Sequence, residues 1–354
     1  MKLKTCRVLQ ISKTLNFGGT EKVVLELTKH LNSKVKKIVV CSGGGEYENN
    51  LKALNIKHYR LPDFDEKNIF TFLKLVFILG YILLKERINI VHSHHRYSTF
   101  ILFWLNKLFR FKLIHTTHCI FLDKKRLSRF GSNIIAVGNH VKKNLVKDFR
   151  IKGKFITIIS NGVSDAQKFT KEQNCYMKVG TFSRLTRYKG IDIFLKSIPK
   201  VLKNNSNVRF YIAGDGELKE ELIELAKDLK VKNHVEFIEY QQDIYKFIQD
   251  MDICIQPSLC EGLPLTVLEV LANKKPIIAS NIDGNNEIIT DGINGLLFSC
   301  GNHHDLADKI MVLINNKELR DTLSENGYRE FTQKYSITRM LQSYEKYYRA
   351  LIDK

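Results

Sequence analysis

The chain has 354 residues, 44% of them apolar, with five prolines and a formal charge of +19 at pH 7. That length exceeds one ordinary core and fits two domains, and the composition excludes a disordered chain. Seven cysteines with no CxxC pair exclude a disulfide framework and read as reduced thiols in the cytosol, packed as small apolar groups.

The first twelve residues contain no apolar run long enough for a signal-peptide core, so a cytoplasmic location is expected. Short apolar runs then alternate with helical patterns. Strands are predicted over 6–12, 37–41, 90–93, 113–116, 133–137 and 155–159, and helices over 20–31, 70–86 and 139–147. After Ser160-Asn161-Gly162-Val163, read as a hinge, the rhythm repeats. Strands follow over 178–182, 209–213, 235–238, 253–256 and 276–279, with helices over 191–203, 218–230, 244–251, 265–273 and 306–315. This alternation implies an α/β protein with two doubly wound parallel sheets whose ligands lie at the carboxyl ends of the strands, in a cleft between facing domains. The expected domains are 1–162 and 163–334, with a final helix over 337–352 expected to cross back so that 335–354 packs on the first domain.

The charge is divided unevenly. Residues 1–165 hold about 30 Lys/Arg against about 11 Asp/Glu, whereas residues 166–354 hold about 26 of each. A cationic half suits nucleic acid, an anionic membrane surface or an anionic substrate. The absence of RNP-type aromatic motifs and paired zinc ligands argues against nucleic acid and favours a membrane surface. Two segments bear on this: 69–84 (IFTFLKLVFILGYILL), too short to span a bilayer comfortably, and 97–112 (YSTFILFWLNKLFRFK), which mixes aromatics with Lys107, Arg110 and Lys112. Both suit buried helices of an α/β domain, and both suit helices with a membrane-facing rim.

The densest chemistry lies in PSLCEGLPLTVLE, residues 257–269, between a buried strand and a helix. Gly262 and Pro264 keep Glu261 in the loop, since proline suits only the first helical turn. Glu269 falls about one turn into the helix. Backbone amides around Leu263, Leu265 and Thr266 form a positive site for a phosphate or sugar hydroxyl. Two carboxylates beside it can accept hydrogen bonds from sugar and ribose hydroxyls.

Two glutamates with seven residues between them, in EGLPLTVLE, resemble the signature of family-4 retaining glycosyltransferases of the GT-B fold. Four further segments match in order: Asn16-Phe-Gly18-Gly19-Thr-Glu21, Val179-Gly-Thr-Phe-Ser-Arg184 with Lys189-Gly190, Ala213-Gly-Asp215-Gly, and Asp291-Gly-Ile-Asn-Gly295-Leu. The resemblance implies a nucleotide-sugar co-substrate, with a uridine donor favoured over guanosine, and neither cofactor nor metal. It implies that Glu261 orients the sugar hydroxyls, Glu269 holds the ribose, and Arg184 and Lys189 hold the diphosphate. Gly262, Leu263, Pro264, Leu265 and Asp215 line the donor site, Gly18 and Gly19 close over it, and His118 is the histidine that meets donor sugar or acceptor. His94, His95 and Arg96 end a strand and are assigned to the acceptor rather than to a metal. Asp63 with Asp65 and Asp250 with Asp252 imitate a metal-binding DxD but suit turns and caps. The expected acceptor is a lipid-linked oligosaccharide or lipopolysaccharide core at the inner membrane face, with Lys124, Lys125, Arg126 and Arg129 near anionic headgroups. Rival readings are a sugar-nucleotide epimerase or hydrolase of the same fold, a nicotinamide-dependent dehydrogenase lacking the GxGxxG fingerprint, and a nucleic-acid-binding protein.

Overall fold

The structure is a computed structural model that describes residues 2–64, 66, 68–121, 128–166, 175–239, 241 and 243–353. Asp65, Lys124, Lys125 and Arg126 lie outside the described residues. The chain divides into one unit of residues 1–161 and 338–354 and a second of residues 162–337.

The N-terminal unit is built on a parallel sheet of β1 (Arg7–Ile11), β2 (Lys37–Ser42), β3 (Lys57–Arg60), β4 (Ile90–Ser93), β5 (Lys112–Thr117), β6 (Ile134–Ala136) and β7 (Ile156–Ile158), ordered β3-β2-β1-β4-β5-β6-β7. The helices are α1 (Gly19–Asn32), α2 (Glu48–Ala53), α3 (Ile69–Lys85), α4 (Arg96–Phe109) and α5 (Asn139–Lys147). Helix α3 makes the long crossover that carries the chain from one side of β1 to the other. It packs beside α4 on one core with Leu9, Val39, Val91 and Leu113.

The C-terminal unit repeats the plan with β8 (Met177–Phe182), β9 (Val208–Ala213), β10 (Val235–Ile238), β11 (Ile253–Gln256), β12 (Ile277–Ser280) and β13 (Leu296–Phe298), ordered β10-β9-β8-β11-β12-β13. Its helices are α6 (Ile191–Asn204), α7 (Lys219–Asp228), α8 (Ile244–Asp250), α9 (Leu265–Ala272), α10 (Asp283–Asn286), α11 (His303–Asn315) and α12 (Lys317–Glu330). A π-helical turn, Phe331–Tyr335, ends this unit before α13 (Ile337–Ile352), most of which belongs to the N-terminal unit. There Tyr344 and Tyr348 are fully buried, and Glu345 is bonded by Lys34 and by His30 at 3.1 Å.

Five elements escaped the sequence reading: β3, α2, α10, β13 and α12. The strands are edges of only four and three residues, and β3 (KHYR) has no fully buried position. In α12 only Leu323, Ser324 and Gly327 are buried, which leaves almost no apolar periodicity to read. Asp250 and Asp252 serve as structural pins, accepting from Lys178 Nζ at 2.6 Å and Lys178 N–H at 2.9 Å.

Candidate active site

In a doubly wound sheet the loops on either side of the strand-order reversal diverge and leave room for a ligand. In the C-terminal unit these loops follow β8 and β11. The first carries Ser183 and Arg184 into a 3₁₀ turn, Arg187–Lys189, and the second carries Pro257 to Pro264 into α9. They are laced together. Leu259 N–H donates to the Tyr188 carbonyl at 2.8 Å. Gly190 has φ 64° and lies so close to the second loop that a Cβ would sit 2.2 Å from the Pro257 carbonyl oxygen.

Across this seam Lys189 Nζ meets Glu261 Oε1 at 2.5 Å, with side-chain exposures of 20% and 12%. Gln256 Nε2 donates to the same carboxylate oxygen at 2.9 Å and to Ser258 Oγ at 2.9 Å. Neither charge is therefore left unpaired where water is scarce. The Glu261 loop is also held from the β12 side. Ser280 Oγ donates to the Ser258 carbonyl, and Asn285 Nδ2 donates to the Ser280 carbonyl at 2.8 Å. A Cβ on Gly284 would lie 2.7 Å from the Glu261 carbonyl oxygen, so only glycine lets α10 approach this closely. Two buried acceptors on these bordering segments, Gln256 Oε1 and Asn285 Oδ1, have no hydrogen-bond partner among the described residues. They are suited to receive hydroxyl donors.

Glu269, on α9, is 7% exposed. Gly262, Leu263, Pro264 and Leu265 are buried beneath the start of α9, and Arg184 is exposed on the β8 loop. Asp215 is engaged locally: it accepts from its neighbour Gly216 N–H at 2.9 Å, while its carbonyl receives Leu185 N–H at 2.8 Å. This braces the Arg184 loop.

The N-terminal unit places a chain of polar groups across its own reversal point, between β1 and β4. His118, just past β5 and half-buried, has Nε2 2.9 Å from His94 Nδ1. His94 Nε2 lies 2.8 Å from Gln10 Oε1, and Gln10 Nε2 donates to the Tyr348 hydroxyl at 3.2 Å. That hydroxyl is 2.9 Å from His92 Nδ1, whose ring continues to Thr116 Oγ1 at 2.7 Å. Burial, reinforced by the neighbouring imidazoles, holds His92 and His94 well below the usual histidine range. Burial first and then His118 bring His115 down to about 3, and burial brings His118 down to about 4. The ladder is therefore neutral at physiological pH. With the Gln10 oxygen facing His94, the His94 proton is on Nε2 and its bare Nδ1 accepts from His118 Nε2–H. His118 Nδ1 is then an oriented acceptor for a hydroxyl.

The acceptor expectations shift accordingly. Both ring nitrogens of His94 are occupied, so in this arrangement it reaches a ligand only through His118. His95 packs against buried Phe64 with centroids 5.2 Å apart, and the Arg96 guanidinium lies 4.6 Å over the Phe121 ring. Gly18 and Gly19 open α1 as read, but a Cβ on Gly18 would strike the Glu21 carboxylate at 2.4 Å. That neighbour is the end of a flexible side chain and Gly18 has an extended backbone, so the contact does not demand glycine there. Sequence reasoning missed Gln10, Tyr348, Gln256, Gly284 and Asn285. The only available signals were the polar residues Gln10 and Gln256 inside buried strands, a Gly-Asn pair four and five residues after β12, and a tyrosine on the last helix.

Comparison with known proteins agrees with this layout. Residues 17–167 match the family described as Glycosyltransferase Family 4, and residues 164–330 match Glycosyl transferases group 1. An uncharacterised glycosyltransferase of Methanocaldococcus jannaschii is 28% identical, covering 92% of this chain and 95% of its own. An Escherichia coli UDP-Gal:alpha-D-GlcNAc-diphosphoundecaprenol alpha-1,3-galactosyltransferase is 25% identical over 78% of this chain and 79% of its own. Among solved structures, a Rickettsia africae glycosyltransferase superposes with a TM-score of 0.85 at 22% identity, covering 98% of this chain and 99% of that one. Anabaena HepE in complex with UDP-glucose gives 0.85 at 18% identity, covering 97% and 99%. These likenesses establish the GT-B fold, two Rossmann-like domains in one chain. With a family 4 domain followed by a group 1 domain along nearly its whole length, the protein belongs to the GT-B glycosyltransferases.

Proposed function

We propose that this enzyme transfers a hexose or N-acetylhexosamine from a UDP-sugar, with retention of configuration, to a glycan carried on a membrane lipid. The observation that carries the donor half is the Lys189–Glu261 pair at the β8/β11 reversal, bordered by the unfilled acceptors of Gln256 and Asn285. A donor diphosphate offers Lys189 a second anion. As Lys189 turns to it, Glu261, still held by Gln256, is freed to accept from the sugar hydroxyls. Arg184 supplies a second cation, the first amides of α9 point to the same anion, and Glu269 holds the ribose. Breaking the glycosyl–phosphate bond builds charge on the leaving diphosphate, and fixed donors aimed at it favour the transition state.

Retention follows if the departing phosphate oxygen takes the acceptor proton on the face from which it leaves. No nucleophile on the protein and no metal is given a part. His118, through its oriented Nδ1, accepts from a hydroxyl of the donor sugar or acceptor. A uridine donor is supported by the UDP-sugar named for the E. coli relative and by the UDP-glucose complex of HepE. A lipid-linked acceptor is supported by the diphosphoundecaprenol named for that relative and by the basic N-terminal half. The reading also places the enzyme peripherally on the cytoplasmic membrane face.

Radiolabelled UDP-glucose, UDP-galactose and UDP-N-acetylglucosamine, each incubated with a polyprenyl-diphosphate-linked sugar, test this directly. Label entering the lipid fraction as an α-glycoside from one of them is the expected outcome. Free sugar or an epimerised nucleotide in place of a lipid product would favour the epimerase or hydrolase alternative.

A further inference from the structure

Among the described residues no helix is long and apolar enough to cross a membrane, yet α3 leaves a continuous apolar stripe in solvent. Its inner face, with Leu75, Leu79, Ile82 and Leu83, is buried in the core. Its outer face, at spacings of three and four residues, carries Phe70, Leu73, Phe77, Tyr81 and Leu84. Phe70 is 81% exposed and Phe77 77%. Helix α4 packs alongside, its Phe109 ring lying where a Cβ on Gly80 of α3 would come within 3.7 Å. It adds Trp104, 48% exposed, and Leu108, 74% exposed. An apolar surface of this size on a folded domain marks an interaction face.

The cations around the stripe identify the partner. Lys85 donates to the Tyr81 hydroxyl at 2.6 Å, and Lys107 Nζ lies 4.3 Å over the Trp104 ring, with Lys74 exposed between Leu73 and Phe77. Their aliphatic stems run along the apolar face while the charged ends stay wet, as on helices that lie in a bilayer interface. Beside α4 is a cavity of about 750 Å³ whose walls include Lys107, Lys112 and Arg129 together with Phe103, Phe130 and Phe149. Asn106 also lines the cavity, and its Oδ1 is buried with no partner among the described residues. A basic cavity with apolar walls, opening beside an apolar face, fits an anionic phospholipid headgroup.

We propose that the outer faces of α3 and α4 are the membrane-docking surface of this enzyme, with the cavity beside α4 receiving an acidic headgroup. The inference rests on the lipid-acceptor reading for the choice of a bilayer as partner, and on exposure and charge for the face. Trp104 is the chain's single tryptophan, so it reports directly on its own surroundings.

The full chain would be floated with vesicles of phosphatidylcholine alone and of equimolar phosphatidylcholine and phosphatidylglycerol, and Trp104 emission read in both. Flotation with the acidic vesicles, accompanied by a blue shift, is expected. Phe70→Ser and Phe77→Ser, each at an exposed position, are expected to weaken vesicle binding about tenfold. Lys107→Glu with Arg129→Glu is expected to do the same on acidic vesicles only, about five- to twentyfold. All these variants are expected to keep the UDP-induced rise in melting temperature, so a failure of docking is separable from a failure of the donor site. Equal flotation on neutral vesicles, unchanged Trp104 emission in the bound protein, or wild-type binding by Phe77→Ser would overturn the proposal. So would a lipid-free dimer that Phe77→Ser dissolves, since the face would then belong to a second copy.

Discussion

At the scale of single residues, the account turns on one carboxylate shared by a lysine and a glutamine. Lys189→Met removes a diphosphate cation and is expected to lower kcat/KM by roughly 10²–10³-fold, the cost of losing one preorganised donor. It also leaves Glu261 short of a partner in a poorly solvated place, so a lower melting temperature is expected. The double variant with Glu261→Gln should recover part of that stability and none of the activity. Additive melting losses in the double variant would show that the pair is not coupled. Gly190→Ala introduces both a left-handed backbone strain and a clash with Pro257. It is expected to cost roughly 1–3 kcal/mol in denaturant unfolding and to weaken UDP binding, because it separates the two loops of the site. Unchanged stability and affinity in that variant would mean that the seam between the loops is not structural.

The motif around Glu261 was legible because Gly262 and Pro264 punctuate the loop between a buried strand and a helix. Gln256 and Asn285 were not. A glutamine at a strand end looks the same in sequence whether its carbonyl oxygen is satisfied or free, and only the packed structure separates the two. Lys189 and Arg184 were legible as cations past a strand, but that Lys189 already holds Glu261 was not.

At the scale of elements, α13 does more than close the chain. It inserts the Tyr348 hydroxyl between His92 and Gln10, and so links the last helix to the proton arrangement at His118. Tyr348→Phe leaves the buried Gln10 amide and His92 Nδ1 without this partner, at a cost of roughly 1–3 kcal/mol in unfolding free energy. With the ladder's orientation weakened, turnover is expected to fall and its pH profile to move, while donor affinity stays unchanged. A variant matching wild type in the pH dependence of kcat would confine Tyr348 to packing. Helix α13 was legible at its exact limits because its apolar face repeats cleanly, whereas its partners on β1 and β4 were not. Long-range pairing across more than 250 residues leaves no local trace in the sequence. Edge strands β3 and β13 were lost for the opposite reason, being too short and too exposed to show a pattern.

At the scale of the whole molecule, the buried histidines and two carboxylates set the response to acid. Below about pH 6.5 the unfolded chain takes up protons that the folded chain refuses: His118 holds out to about 4, His115 to about 3, and burial keeps His92 and His94 well below the usual histidine range. Stability is therefore expected to fall steadily as pH drops from about 6.5 towards 4. Glu86 and Glu345 act in a lower window. Burial opposes ionisation of Glu86, but Lys37, Lys57 and Tyr59 outweigh it and bring its carboxyl down to about 2. Lys34 and then Arg349 do the same for Glu345. Their contribution is complete above about pH 4.5 and is lost as pH falls towards 2. Denaturant melts from pH 8 to pH 4 check the histidine window, and a flat profile between pH 7 and 5 would contradict the burial of the ladder. The uneven charge of the two halves was plain in the sequence. Which face of α3 and α4 stays exposed was not: α3 is apolar nearly all round, and α4 carries large apolar residues on its exposed side as well as its buried one.

The central claim is that the C-terminal unit holds a nucleoside diphosphate through Arg184, Lys189 and the Glu261 loop. Thermal denaturation of the full chain with UDP, GDP, ADP, CMP or NAD, repeated on Arg184→Ala and Lys189→Met, tests it most directly. UDP at a hundred times its dissociation constant is expected to add about 2.7 kcal/mol of stability to the wild type and far less to either variant. Stabilisation by NAD alone, or by none of the five at saturation, would contradict the claim.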